Sequence, residues 1–344
     1  MADTNLVAYA DAVNAFEFVK VSVANRNGFI RRTEPIILLT ARQLLLQYAH
    51  FRVLNEAGRP ISFIRRWLAD ANATTYNAID MVPPPLICQE STFNLWTPFP
   101  LDDGAPYLHD AEGLQMILEF IDTLCNHNPE AVAVLVDWIR DMAERPGVRA
   151  GRALALYGPQ GCGKPTFVAL LTALLGHNKV YHHSDFFNGR INLRMACALV
   201  SVFDEGTDLP MLRSLMTDNT IMPDLRHFPN GVVRNATRCI VLSLTEPEHT
   251  LHGRLHPIRC SGEHANDQAY FQRLHAFLQS PNTLRTFWDY LKRRGLWARV
   301  RHRLYLRSIV LFWLDLTKPL MAEGGIAFEH DMAEFQAWRQ RVFE

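Results

Sequence analysis

Apolar and polar positions follow two textures along the chain. In residues 1–80 apolar side chains recur at helical spacing, as in Ile36, Ile37, Leu44, Leu45, Leu46 and Tyr48, and again in Phe63, Ile64, Trp67 and Leu68. That spacing predicts a mostly helical N-terminal region. The run Val82-Pro83-Pro84-Pro85 cannot continue a helix and marks a boundary. From Gly113 to Ala143 the helical period returns, as two helices separated by a break at Asn126–Pro129. From residue 152 to about 262 short apolar runs are bounded by turns, which predicts buried strands at Ala153–Tyr157, Ala198–Phe203 and Cys239–Leu244. Leu170–Leu175 falls in a helix between the first two. Strands alternating with helices predict an α/β core, a parallel sheet with helices on its faces. Beyond residue 265 the pattern is helical again, through Tyr270–Leu278, Leu284–Leu291 and Val300–Leu316. Three regions are therefore expected: 1–110, helical; 111–264, a helical bundle leading into the α/β core; and 265–344, helical.

Composition narrows the class. Of 344 residues, 48% are hydrophobic and 20% charged, and 35 basic residues balance 35 acidic ones. That excludes a largely disordered chain and a protein whose whole surface is basic. The basic residues split into 5 Lys and 30 Arg, which fits forked phosphate contacts and equally a GC-rich genome. No apolar run approaches the roughly 18 residues of a membrane span. The N-terminal residues lack a basic segment followed by an apolar one, so an intracellular, non-secreted protein is expected. The six cysteines have no CxxC pair and read as reduced, buried residues.

The most specific motif is Gly158-Pro159-Gln160-Gly161-Cys162-Gly163-Lys164-Pro165-Thr166, directly after the strand Ala153–Tyr157 and ahead of a helix. It matches GxxxxGK. The glycines let backbone N–H groups turn toward a triphosphate, Lys164 neutralises its outer phosphates, and the helix N-terminus adds partial positive charge. One position departs from the pattern. After Lys164 a Ser or Thr hydroxyl would ligate Mg²⁺, and Pro165 stands there instead. Proline suits a first helical turn but removes a hydroxyl and a backbone N–H. Thr166, one residue later, is the remaining hydroxyl for the metal.

Forty residues after Lys164 the strand Ala198–Phe203 runs into Asp204-Glu205. Carboxylates at a strand end beside a phosphate loop suit metal binding by Asp204 and polarisation of the attacking water by Glu205. Thr245, just after the strand Cys239–Leu244, is placed to orient that water; a plain turn fits the same residues. Arg254 or Arg259 is placed to reach a neighbouring subunit's nucleotide, Arg254 being preferred because it follows Gly253. Arg226-His227-Phe228 reads as a hairpin tip, basic for a nucleic-acid backbone and aromatic for stacking, although an ordinary surface hairpin has the same pattern. His249, His252 and His256, and the pair His182-His183, lack the companions that fix a zinc site. Seven basic residues from Lys292 to Arg307, with no acid between Asp289 and Asp315, suit a basic amphipathic helix or a solvated helix face.

In this order and spacing the motifs resemble superfamily III helicases, specifically the poxvirus-type and phage-type primase-helicase branch of the AAA+ P-loop ATPases. The resemblance runs from about Ile61 to Leu291. It takes in Trp67-Leu68-Ala69-Asp70, Phe93-Asn94-Leu95-Trp96, Arg145-Pro146, the Gly158–Thr166 loop, Asp204-Glu205 and the segment Tyr270-Phe271-Gln272-Arg273-Leu274. It implies a P-loop AAA+ (ASCE) core and a collar or oligomerisation role for residues 1–110. It also implies a homo-hexameric ring, with ATP and Mg²⁺ at subunit interfaces, that translocates on single-stranded DNA during viral, phage or mobile-element replication. Under it Lys164 is the phosphate lysine, Asp204 and Glu205 the metal and water carboxylates, Arg254 the finger and Arg226 the channel-hairpin base. Pro165, Thr245 in place of a sensor Asn, and Arg226 in place of a hairpin Lys depart from the family pattern. The first two bear on hydrolysis, so a nucleotide-binding assembly subunit is the alternative. A primase or polymerase partner would be another chain.

Overall fold

A computed structural model describes residues 8–23, 26–33, 35–149, 151–183, 191–204, 209–225, 231–247 and 253–305, with side chains described as far as Arg293. The N-terminal region differs from the helical expectation. Helices α1 (Tyr9–Ala15), α2 (Ala41–Gln47) and α3 (Phe63–Ala69) span seven residues each, and between and beyond them lie strands. Strands β1 (Phe18–Val23), β2 (Arg26–Arg31) and β3 (Leu38–Leu39) pair antiparallel. A hairpin of β4 (Arg52–Leu54) and β5 (Pro60–Ser62) follows. Strand β6 (Thr75–Tyr76) adds to β1 in parallel, and β7 (Ala78–Asp80) pairs with β8 (Thr92–Asn94).

The reason for the miss is burial on both faces. Val19, Val21 and Ile30 enter the main core, while Phe18 and Phe29 on the opposite face enter a smaller core with Phe16, Leu44, Phe63 and Trp67. β2, covered on both sides, shows no polar–apolar alternation, whereas β1 does alternate from Val19 to Val23 around Lys20 and Ser22. Lys20 lies on the second face with its ammonium on the carbonyls of Leu68 and Asp70, 3.1 and 2.7 Å away. The residues resembling a family motif at Phe93–Trp96 have a local explanation too. The Asn94 amide accepts from Val82 N–H and donates to Val82 C=O, both at 3.0 Å, which satisfies a buried turn.

Helices α4 (Ala111–Leu124) and α5 (Pro129–Glu144) carry the 3.6-residue period read from the sequence. Asp110 accepts from Gly113 N–H to cap the first; Asn128 caps the second ahead of Pro129. Then come β9 (Ala153–Tyr157), α6 (Lys164–Leu175), β10 (Val180–His183), α7 (Leu193–Ala196), β11 (Val200–Asp204), α8 (Leu209–Thr217), β12 (Thr220–Ile221), β13 (Val233–Arg234), β14 (Arg238–Ser243) and β15 (Leu255–Arg259). Five of these strands form an all-parallel sheet in the order β10-β11-β14-β9-β15. Their buried runs (Leu154, Leu156, Val200, Val202, Ile240, Ile258) meet Leu170, Leu171 and Leu174 of α6 in the main core. The chain is thus mixed α/β with a parallel sheet and flanking helices, as the alternation predicted.

The order places a topological switch beside β9. From β9 the chain leaves through α6 to β10 at one edge, whereas β15 returns to the other side of β9. Crevices at the carboxyl ends of such strands are where open α/β sheets bind ligands. Helices α9 (Gln268–Leu278) and α10 (Pro281–Tyr305) close the fold, with Asp267 capping α9 through Tyr270 N–H. Everything up to Lys292 belongs to one compact unit; Arg293–Glu344 form a second. Of that second unit only Arg293 and the backbone of the rest of α10 are described, so the basic amphipathic reading of residues 294–307 lies outside the described side chains. No helix among the described residues is long and apolar enough to cross a membrane.

Candidate functional site

The glycine loop begins where β9 ends. Gly158 N–H donates to Ser243 C=O at 3.3 Å, which ties the loop to the end of β14. Gly158 adopts φ +153°, and a Cβ there would lie 2.7 Å from the Cys260 carbonyl oxygen. Gly163, the N-cap of α6, adopts φ +103°, and its Cβ would lie 2.9 Å from the Phe120 ring. Both positions need glycine for conformation and for space. The loop is therefore drawn against the core just before a helix whose free N–H groups point along it.

Lys164 is buried at the first position of α6. Its ammonium folds back over the loop and donates to Gly158 C=O at 2.6 Å and Pro159 C=O at 2.9 Å. It also approaches Cys162 Sγ at 3.7 Å. Pro165 is exposed in the first turn and Thr166 is buried. Gln160 and Pro159 form the exposed outer lip of the loop, with Gly161 half-buried behind them.

Asp204 is the last residue of β11 and is exposed at the same carboxyl edge. It is level with Leu242 on β14, which in turn is level with Leu156 on β9. Two strand spacings, about 10 Å, separate the lines of β11 and β9. The polar end of β14 lies between them. Ser243 Oγ donates to Thr245 C=O at 2.6 Å and accepts from Thr245 N–H at 3.1 Å, which closes the turn that leaves Thr245 exposed at this edge.

The two arginines lie at opposite ends of β15. Arg254 is exposed at the amino edge of the sheet, where its carbonyl accepts from Ala153 N–H at 2.9 Å. It lies a strand length from its own chain's loop. Arg259, level with Tyr157, stands at the loop's edge. Glu205 and Arg226, His227 and Phe228 lie outside the described residues; β12 and β13, which precede and follow residues 226–228 in the chain, pair antiparallel.

A cavity of about 350 Å³ opens beside the loop, lined on one wall by Gly161, Gly163, Pro165 and Thr166 and on the other by residues of α9, chiefly Phe271 and Gln272. Thr166 lines this side, and Asp204 is not among the cavity's residues. The residues that build this wall were read only as part of a helical tail. Their local signal was the Asn266-Asp267 pair ahead of α9: Asn266 takes φ +66° and its N–H donates to Gly161 C=O at 3.3 Å. The proximity of α9 to the loop had no sequence signal.

Two thiols flank the loop. Cys260, just past the end of β15, donates its N–H to Tyr157 C=O at 2.7 Å, with its thiol 3.9 Å from Ile258 C=O and the Cys162 thiol as a neighbour. That neighbour, with the nearby Lys164 charge, holds the Cys162 thiol well below its usual range, whereas the same pairing and burial push Cys260 up. The segment after β15 is anchored from below by His127, whose ring nitrogens contact Asp122 at 2.6 Å and Glu263 at 2.8 Å. Glu263 and then Asp122 raise its pKa.

Together these features define a parallel α/β protein with a glycine loop and a buried lysine at its switch point, a site shaped for an anion. Residues 156–251, less than half of the chain, match a family of unknown function, DUF5906. No curated protein matches the chain. Among solved structures it is similar to the apo C-terminal region of NrS-1. The TM-score is 0.60 at 15% identity, over 85% of this chain and 70% of that one. The A form of the same region gives a TM-score of 0.60 at 14% identity, over 81% of this chain and 68% of that one. At such identities the likeness is one of fold. A complex of JCV helicase with a small molecule is a more distant neighbour, with a TM-score of 0.37 and 16% identity over 54% of this chain and 61% of that one.

Proposed function

We propose that the chain is an ATP-binding P-loop subunit of the AAA+ type that hydrolyses ATP to move along single-stranded DNA, as a superfamily III helicase does. The observation that carries this reading is the loop itself. Three glycines at positive φ, a buried lysine and a helix N-terminus sit together at the switch point of a parallel sheet. A triphosphate suits that cradle, with Lys164 released from the Gly158 and Pro159 carbonyls to the outer phosphates. The base would face the cavity wall that includes Phe271, a half-buried aromatic ring.

The residues present also suit Mg²⁺. It needs few protein ligands because phosphates and water complete its shell; Asp204 would hold it through water, with Thr166 as the available hydroxyl. Held there, the ion would supply charge neutralisation for phosphoryl transfer. Glu205 would orient the attacking water, Thr245 would steady it, and Arg254, remote from its own loop, would act on the nucleotide of a neighbouring copy. That last role requires an oligomer, a hexameric ring by resemblance, with Arg226, His227 and Phe228 facing the DNA.

A second reading is favoured by Pro165, which offers neither hydroxyl nor N–H. In it the subunit binds nucleotide but turns it over weakly or not at all, and serves assembly. Steady-state ATP hydrolysis with and without single-stranded DNA separates the two. Turnover that Lys164→Ala and Glu205→Gln each abolish supports the enzyme; bound nucleotide without turnover supports the scaffold. Absence of nucleotide binding would reject both. Pro165→Ser is expected to raise turnover, and an unchanged or lower rate means that Pro165 is no defect.

A further inference from the structure

Residues 84–87 and Val148 form an apolar prominence that nucleotide binding does not use. Leu86 N–H donates to Pro83 C=O at 3.1 Å, which closes a turn. Pro84, Pro85, Leu86 and Ile87 are all exposed, Ile87 at 95%. The turn rests on residue 147, where a Cβ would lie 3.3 Å from Leu86 Cδ1. Val148, next in the chain, is exposed as well. Single exposed apolar residues are ordinary, but a contiguous group of them marks an interaction surface.

A cleft of about 720 Å³ lies between α6 and β10. Val168, Ala169 and Ala173 of α6 line it, and His177, His182 and Arg194 stand exposed at its rim. Arg194 Nη2 lies 3.5 Å from His177 Nε2. No acidic residue lines the cleft, so its field favours an anionic partner. Glu90, exposed three residues after Ile87, gives the prominence the complementary sign. Pro165 belongs both to this cleft and to the cavity beside the glycine loop. Ala173 is eight residues farther along α6, about 12 Å from Pro165. The prominence, for its part, shares an edge of the molecule with Arg254. Ala153 N–H donates to Arg254 C=O at 2.9 Å. The six residues from Gly147 to Ala153 span at most about 20 Å.

We propose that the prominence at residues 84–87 and 148 of one copy docks in the α6–β10 cleft of the next, and that this contact brings Arg254 to the neighbour's nucleotide. A neighbour seated in this way fills the space beside Pro165 with apolar side chains and sets its Glu90 toward the basic rim. The two spans, from prominence to Arg254 and from cleft to loop, are of similar length. The prominence and the cleft are different surfaces, so the contact is head-to-tail. Each copy gives one surface and receives the other, and repetition with closure makes a ring.

The docking stands on the two surfaces alone; the delivery of Arg254 rests on the nucleotide reading. Substitutions at the exposed tip leave the fold untouched, since Ile87 makes almost no contact within its own chain. Ala169 is half-buried and faces the cleft, so a large side chain there occupies the space that the neighbour would take.

The test uses the full-length protein at micromolar concentration with Mg²⁺ and a fluorescent, non-hydrolysable ATP analogue, followed by sedimentation velocity. Ile87→Asp, Ala169→Trp and the exposed rim variant Arg194→Glu are each expected to weaken self-association by about tenfold or more. Their melting temperatures should stay within a few degrees of wild type. Ile87→Asp keeps an intact cleft and Ala169→Trp an intact prominence, so mixing the two should give a 1:1 dimer although neither assembles alone. A benzophenone amino acid at position 87 should cross-link to α6, β10 or Arg194 of a second, isotope-labelled copy. In the mixed dimer, Arg254→Ala in the Ala169→Trp copy should weaken analogue binding. A monomeric wild type overturns the proposal, as do variants that assemble as tightly as wild type. A cross-link confined to one copy, or falling outside the cleft, overturns it too. Unchanged analogue binding on Arg254→Ala overturns the delivery of that arginine. Assembly and complementation in a protein that binds no analogue sustain the docking and reject the nucleotide reading.

Discussion

Lys164 is the residue whose surroundings say most about the site. Its charge is buried on two loop carbonyls, 2.6 and 2.9 Å away, that a phosphate would replace. Charge-assisted hydrogen bonds contribute roughly 1.5–3 kcal/mol, so Lys164→Ala should weaken ATP-analogue binding by about tenfold to a hundredfold in a fluorescence titration. A change under threefold would remove the lysine from the site. At Cys162 the sign follows from the neighbouring Cys260 thiol and the Lys164 charge, both of which favour the thiolate. The rate of Cys162 alkylation by iodoacetamide should therefore climb through a midpoint well below that of an ordinary thiol. Cys260→Ala should move the midpoint upward, and a wild-type midpoint near the ordinary thiol value would show that the thiolate is not favoured. Most of the loop was legible before any fold was known, because GxxxxGK is a local pattern whose glycines serve their own backbone. The approach of Cys260 to the loop was not: residues 158 and 260 are brought together by strand order.

Between elements, buried charge and a surface histidine hold the sheet to its helices. Arg238, fully buried at the start of β14, reaches Asp141 of α5 at 3.2 Å and the Arg145 carbonyl at 3.2 Å. Desolvation lowers its pKa, and Asp141 opposes that. Removing one partner of a buried pair costs about 3–5 kcal/mol, so Asp141→Asn should lower the unfolding free energy by about that much in a urea titration. A loss below 1 kcal/mol would mean that Arg238 finds other compensation. The bridge from α4 to the segment after β15 runs through His127, whose folded pKa is raised. Its contribution is fully present below the unfolded value and is lost as pH rises through the folded one. The difference in melting temperature between wild type and His127→Gln should thus be largest in mildly acidic buffer and shrink toward alkaline pH. A difference that grows with pH would reverse the assignment. At this scale the strands of the sheet and the pair α4–α5 were readable from period and length. Among the N-terminal strands β2 was not, since packing on both faces erased its alternation, although β1 alternates from Val19 to Val23.

Over the whole molecule, the compact unit ending at Lys292 contains the sheet, the loop and the cavity wall supplied by α9. A chain ending after Arg293 should therefore melt cooperatively within a few degrees of the full-length protein and retain ATP-analogue binding, as differential scanning calorimetry and titration would register. If residues 292–307 bind nucleic acid, the same truncation should weaken single-stranded DNA binding and flatten its salt dependence. A non-cooperative melt would show that the C-terminal unit is part of the core. Zero net charge is compatible with such a division of labour, since basic residues concentrate in that segment while the carboxyl edge of the sheet carries Asp204.

The sequence by itself determined what depends on neighbouring residues. It specified the parallel α/β texture, the start and end of β9, the helix pair before it, and a glycine loop that only permissive backbone can form. Tertiary structure alone decided what depends on distant residues meeting. It set β14 between the loop strand and Asp204, Arg254 at the far edge of the sheet, α9 as the wall of the cavity, and Cys260 against Gly158. The physical reason is that backbone propensity and hydrophobic period are short-ranged, whereas sheet order is chosen by burial of the whole chain at once.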